Sequence, residues 1–170
     1  MIQAYLLGRK ITSNAQEAFT LYENSLLGEK KTEVIEYASI EALFLVQEKK
    51  MQIIQGKKQL SFSDFLKKVR KEDKKIETKL MAFTDLRKRG YTVKTALKFG
   101  AEFRIYEKGV KPGEDHARWI LYTLTEHDVL HAHDFAAKNR IAHATKKNLL
   151  IAIVDDEGDV SYYEIAWMRP

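Results

Sequence analysis

Six consecutive apolar residues, Leu149-Leu150-Ile151-Ala152-Ile153-Val154, constrain the fold of this chain more than any other segment. The run is far shorter than the roughly 20 residues that cross a membrane as a helix. Because it is apolar at every position and rich in strand formers, it reads as a buried strand. The acidic stretch Asp155-Asp156-Glu157-Gly158-Asp159 then gives a turn signal, and Val160 to Met168 reads as the return strand. The C-terminal part must therefore be built around a sheet that ends in a β-hairpin.

Two further segments belong to that sheet. Phe103-Arg104-Ile105-Tyr106-Glu107 and Trp119-Ile120-Leu121-Tyr122-Thr123-Leu124 both read as alternating strands, and Tyr91 to Lys94 adds a third. A helix is expected from about Asp128 to Lys146, with Val129, Leu130, Phe135, Ala136 and Ile141 apolar. The texture before Gly90 is different. Residues 2–7 are rich in strand formers but alternate poorly. Ser13 with Gln16 suggests a capping box, opening a helix with Ala15, Ala18, Phe19 and Tyr22 on one face. Glu33 to Tyr37 and Met51 to Ile54 read as strands. Ser39 and Ser61 read as helix caps, and a further helix runs from about Ile76 to Arg89, closed by Gly90. The boundary falls near residues 84–90. The fold class is α/β (α+β): a small mixed α/β domain over residues 1–86, then a domain over 87–170 with a central mixed β-sheet and packed helices.

Composition narrows the function. At 170 residues and 45% hydrophobic, the chain is long enough for a real core in one or two domains. Its net charge of +5 favours an acidic partner, nucleic acid being the commonest. The lack of cysteine excludes disulfides and thiolate metal sites. With no membrane span and no charged leader, a soluble cytoplasmic protein is expected.

Tyr106, His116 and Lys147 form the most complete chemical set. Tyr106 closes a strand, His116 lies in the polar loop Gly113-Glu114-Asp115-His116, and Lys147 precedes the apolar run. RNA is cut by its own 2′-hydroxyl when a base takes that proton, an acid protonates the leaving 5′-oxygen and a cation stabilises the phosphorane. Imidazole suits the acid because it ordinarily titrates near neutrality, and an ammonium suits the phosphate. Taken by spacing alone, the same three are ordinary surface residues.

The surrounding segments decide between these readings. Arg89-Gly90-Tyr91, Lys94-Thr95 and Leu97-Lys98-Phe99-Gly100-Ala101-Glu102-Phe103-Arg104-Ile105-Tyr106 resemble the archaeal tRNA-splicing endonuclease (tRNA-intron endonuclease) family. So do Arg140-Ile141-Ala142-His143, Leu149 to Asp155, and Tyr162-Tyr163-Glu164-Ile165-Ala166-Trp167-Met168-Arg169-Pro170. The resemblance implies that residues 87–170 are a nuclease-like catalytic domain. It implies a cut of precursor tRNA at bulge–helix–bulge junctions, without metal or cofactor, leaving a 2′,3′-cyclic phosphate and a 5′-hydroxyl. It assigns Tyr106 as base, His116 as acid and Lys147 as charge stabiliser. It gives Arg140 and Trp167 the role of clamping a bulged nucleotide between subunits, by stacking and cation–π contact. It makes Asp155, Asp156, Glu157 and Asp159 an acidic loop that docks on a neighbouring subunit, which implies a homotetramer of the short type. The first domain would serve assembly and spacing.

Other clusters read differently. The acidic turn lacks the following lysine of a metal-dependent nuclease. His127 and His131 have an i, i+4 spacing, with His133, Asp128 and Asp134 nearby, but read as a solvated face. His143 reads as a packed structural residue. Lys67-Lys68, Lys74-Lys75 and Arg87-Lys88-Arg89 are helix surfaces open to phosphate contacts. An RNA-binding structural subunit without activity is the alternative function.

Overall fold

The computed structural model describes residues 1–96 and 100–168. Leu97, Lys98, Phe99, Arg169 and Pro170, part of the segments that carry the resemblance, lie outside the described residues. The chain divides into two compact units, Met1–Leu80 and Met81–Pro170.

The first unit opens with β1 (Ile2–Leu7), in which Ile2, Ala4 and Leu6 are buried and Gln3, Tyr5 and Leu7 are exposed. That is full alternation, contrary to the sequence expectation. The small Ala4 is the inward residue and the large Tyr5 and Leu7 stay outside, so hydrophobicity alone hides the period. A hairpin at Gly8 leads to β2 (Lys10–Ser13), then α1 (Gln16–Ser25), β3 (Glu29–Lys30), β4 (Ile35–Tyr37), α2 (Ser39–Gln47), β5 (Met51–Gln55), β6 (Lys58–Leu60) and α3 (Phe62–Glu72). The six strands order as β3-β4-β2-β1-β5-β6. Only β1 and β5 are parallel.

Two of the expected caps are corrected. Ser13 belongs to β2, where its hydroxyl donates to Gln3 O at 2.6 Å, and Ala15 is the N-cap of α1. Ser39 is the first residue of α2, and the N-cap is Ala38. The buried Glu41 carboxylate accepts from Ala38 N and Gly28 N, each at 3.0 Å, and so ties α2 to the turn before β3. At α3 the Ser61 hydroxyl does accept from Asp64 N, at 3.1 Å.

Helix α4 (Ile76–Lys88) spans the division between the units. The second unit holds β7 (Thr92–Thr95), β8 (Phe103–Tyr106), β9 (Trp119–Thr125), α5 (Ala132–Ala144), β10 (Asn148–Val154) and β11 (Val160–Ile165). The strands order as β11-β10-β9-β8-β7. Strands β9 and β10 are parallel, from Trp119 opposite Asn148 to Thr125 opposite Val154. The other pairs are antiparallel. Each unit thus joins a mixed sheet to helices, which is an α+β fold.

Both faces of this second sheet are covered. Ile120, Tyr122, Leu149 and Ile151 pack with Ala142 of α5 on one face. On the other, Phe103 meets Phe83 of α4 with ring centroids 5.7 Å apart. Coverage on both sides explains why β10 is apolar from Leu149 to Val154. Two ranges are corrected. Helix α5 starts at Ala132, because the Asp128 carboxylate turns back to accept from Thr125 N at 2.9 Å, leaving Val129 76% exposed. The return strand stops at Ile165, ahead of Met168.

Helix α5 ends in a Schellman closure. Lys147 N donates to Ala142 O at 2.9 Å and Lys146 N to His143 O at 3.0 Å. The residue between helix and strand, Lys146, adopts φ +55°, a conformation that glycine tolerates far better than lysine. Lys146→Gly is therefore expected to raise stability by up to ~1 kcal/mol, and Lys146→Val to lower it, in urea unfolding of the full chain.

Candidate active site

The strand register brings one end of three strands together. Strand β8 runs opposite to β9, and β9 runs with β10, so the end of β8 meets the starts of the other two. Arg118 N donates to Ile105 O at 3.0 Å, and Asn148 N to Arg118 O at 2.9 Å, which links the three at that end. Tyr106 closes β8, His116 lies three residues before β9, and Lys147 immediately precedes β10.

All three side chains line one cavity of about 340 Å³, with Arg104, Gly113, Glu114, Asp115 and Ala117. Tyr106 is only 4% exposed. His116 is exposed, on a loop that turns at Gly113, where φ is +98°. The Asp115 carboxylate accepts from His116 N at 2.6 Å, and Glu114 N donates to Lys111 O at 3.1 Å, so the loop carries its own bracing. Lys147 Nζ donates to Thr145 O at 2.9 Å. Partial burial pushes the Lys147 ammonium pKa below its ordinary 10.5, and the positive charge of Arg104 adds to the effect.

Outside the cavity, Arg118 pairs with Glu107 and lies 3.7 Å from Glu164, which accepts from Asn148 Nδ2 at 2.6 Å. These contacts connect the loop after β8 with β9, β10 and β11.

Arg140 and Trp167 lie elsewhere. Arg140 is exposed on α5, its Nε donating to Ala136 O at 3.3 Å. Trp167 is 48% exposed and its ring lies 4.5 Å from that of His143. The expectation for His143 is corrected: it is an exposed residue of α5 against Trp167 and is not packed in the core. Its place follows from the helical period, three residues after Arg140 and hence on the same face.

The acidic turn is pre-formed. The Asp155 carboxylate accepts from Glu157 N at 3.0 Å and Asp159 N at 2.9 Å, and Asp156 N donates to Glu126 Oε1 at 2.9 Å. His127 Nε2 sits 3.1 Å from Asp156, whose hydrogen bond and negative charge hold the imidazole pKa above its ordinary 6.5. Glu126, His127 and Asp156 place ligand atoms within 4.8 Å of one another, all exposed. His127 and His131 both precede α5, so their spacing does not set them on a helical turn.

Arg104 was overlooked in the sequence as a site residue. It stands two positions before Tyr106 on a strand, and period two places both on one face.

Comparison with known proteins defines the class first. The family model for the catalytic C-terminal domain of tRNA intron endonucleases matches residues 76–162, and that for the N-terminal domain matches residues 2–66. The tRNA-splicing endonuclease of Thermococcus gammatolerans is 36% identical over 170 residues, covering 99% of each chain. That of Methanothermobacter thermautotrophicus is 36% identical over 161 residues, 95% of this chain and 92% of the relative. That of Nanoarchaeum equitans is 36% identical over 156 residues, 88% of this chain and 97% of the relative. The chain belongs to the tRNA intron endonuclease family. Among the described residues, no helix is long and apolar enough to cross a membrane.

The Lys147 pKa has a thermodynamic sign that can be checked. The folded chain releases this proton at lower pH than the unfolded chain. Between the lowered value and 10.5 the unfolded state holds more protons, so stability rises with pH across that window. The stability of the wild type relative to Lys147→Met is expected to increase as the pH rises toward the ordinary lysine value of 10.5, measured by denaturant unfolding of both proteins across an alkaline pH series.

Proposed function

We propose that the chain is a tRNA-splicing endoribonuclease that cleaves precursor tRNA at bulge–helix–bulge intron junctions without a metal ion. The observation that carries this reading is the shared cavity: a phenol, an imidazole and an ammonium line it together. Membership of the family and the names of the relatives support the substrate.

The chemistry follows from the residue types. The 2′-oxygen attacks the adjacent phosphorus as its proton passes to the Tyr106 oxygen. The P–O5′ bond breaks and O5′ takes a proton from the His116 imidazolium. The products are a 2′,3′-cyclic phosphate and a 5′-hydroxyl. Lys147 stabilises the charge that accumulates on the non-bridging oxygens. A phenol accepts a proton only as phenolate. Both Lys147 and Arg104 line the cavity with it.

One set of Tyr106, His116 and Lys147 per chain and two cuts per intron call for at least two copies. The assembly we propose is a homotetramer, a dimer of dimers, in which the acidic loop Asp155, Asp156, Glu157 and Asp159 docks on a basic surface of a neighbouring copy. The rigid turn around Asp155 favours this, since a pre-ordered loop loses little entropy on docking. Arg140 and Trp167 would hold an unstacked base of the bulge, both being exposed on the second unit. Domain 1–86 would serve assembly and spacing.

The test is cleavage of a bulge–helix–bulge RNA in excess EDTA with analysis of the ends. Wild type is expected to give cyclic phosphate ends, and His116→Ala to slow the cut by about 100-fold or more while RNA binding is kept. Tight binding with no cleavage would identify a structural subunit instead, and activity that needs Mg²⁺ would overturn the mechanism.

A further inference from the structure

The reaction as drawn above gives Arg104 no contact with the phosphate, yet it lines the same cavity as Tyr106, His116 and Lys147. Its strand fixes it there. Phe103 and Ile105 are buried on one face of β8, while Arg104 and Tyr106 share the other. Its cross-strand neighbours are Lys94 on β7 and Ile120 on β9. The guanidinium carbon lies 6.0 Å from the centre of the Tyr106 ring.

Two features of this arginine point to an anion. Its Nε is buried and has no hydrogen-bond partner among the described residues, and a buried donor in that state calls for an acceptor supplied from elsewhere. It also stands close enough to Lys147 to help push the ammonium pKa down, so two cations repel each other across one cavity. The acidic side chains of the lining, Glu114 and Asp115, are both exposed, and Asp115 is engaged with His116 N. A phosphodiester meets both needs at once. Its non-bridging oxygens accept from a guanidinium in a planar, directed manner, and its negative charge offsets the repulsion between the cations.

We infer that Arg104 is a fourth catalytic residue, which donates to a non-bridging oxygen of the scissile phosphate beside Lys147 and stabilises the charge that grows there in the phosphorane. Lys147 then works as one member of a pair of cations. The arginine supplies directed hydrogen bonds and the lysine a point charge. This inference rests on the cleavage reaction proposed above.

The experiment is single-turnover cleavage of a bulge–helix–bulge RNA by wild type, Arg104→Ala, Arg104→Lys and His116→Ala. Binding is measured separately and folding is followed by circular dichroism. Arg104→Ala is expected to cleave about 100-fold more slowly or worse, with RNA affinity within about threefold of wild type. Arg104→Lys should keep part of the rate. Added methylguanidinium should restore rate to Arg104→Ala and leave His116→Ala unchanged, a rescue that a purely structural arginine would not show. If Arg104→Ala does not fold, Arg104→Lys carries the test, with an expected loss of about tenfold in rate at unchanged affinity. Cleavage within about threefold of wild type by either folded variant, or a lost rate that methylguanidinium does not raise, overturns the inference. Failure of the wild type to cut, by contrast, removes the reaction itself. Active wild type, inactive His116→Ala and active Arg104→Ala would remove only the role of Arg104.

Discussion

The parallel pairing of β9 with β10 is the constraint on which the second unit depends. Parallel neighbours cannot be joined by a tight turn; they need a crossover, and α5 provides it. Once the crossover is made, the two strands begin at the same end of the sheet, and antiparallel β8 must finish there. Chain ends and loops from three distant parts of the sequence therefore meet at one place without any of them needing to contact another directly. Had β10 paired in the opposite sense, Lys147 would start its strand at the far end of the sheet from Tyr106.

Electrostatics follow from the same geometry. Strand β10 begins beside a cavity lined by Arg104 and Lys147, and it ends in the run Asp155 to Asp159. Seven residues of extended chain separate the two, roughly 23 Å at strand rise. Charges of opposite sign thus occupy opposite ends of one buried strand. At that distance, beyond the Debye length at physiological salt of about 8 Å, each end acts on its surroundings with little influence from the other. A cavity with two cations at one end and an acidic turn at the other coexist on a small sheet because of that separation.

Much of the second unit was legible because its signals are local and strong. The run Leu149 to Val154, the acidic turn and the alternation through Phe103 to Tyr106 each match one structural template. The weaker expectations failed where a side chain found a partner other than the nearest backbone. Ser13 bonds across to β1, so it could not cap α1, and Asp128 turns back to Thr125, so α5 starts later than its composition suggests. Strands β2, β3 and β6 are short, and they pair with β1, β4 and β5 respectively. Of the residues lining the cavity, Tyr106, His116 and Lys147 were singled out by the segments around them. Arg104 was not, because within a strand an inward-facing arginine looks like any other polar position. The His143 contact with Trp167 was hidden for another reason: it joins residues more than 20 positions apart, with no periodicity to link them.

The closure at the end of α5 also bears on how such a chain can change length. Lys147 N is bonded to a carbonyl five residues earlier, at Ala142. Inserting one residue between them would break that bond. Inserting one further upstream would keep it, but would turn the rest of α5 by about 100° relative to its N-terminal half and carry Ala142 away from the sheet. Neither insertion is neutral for the placement of Lys147. The loop over residues 107–117 is under no such rule: the pair Glu107–Arg118 closes its ends, and its inner backbone bonds run between near neighbours. In descent, gains and losses of residues are therefore expected to collect before His116 and to avoid the stretch between α5 and β10, so that one wall of the cavity is free to vary in length while the other is held fixed.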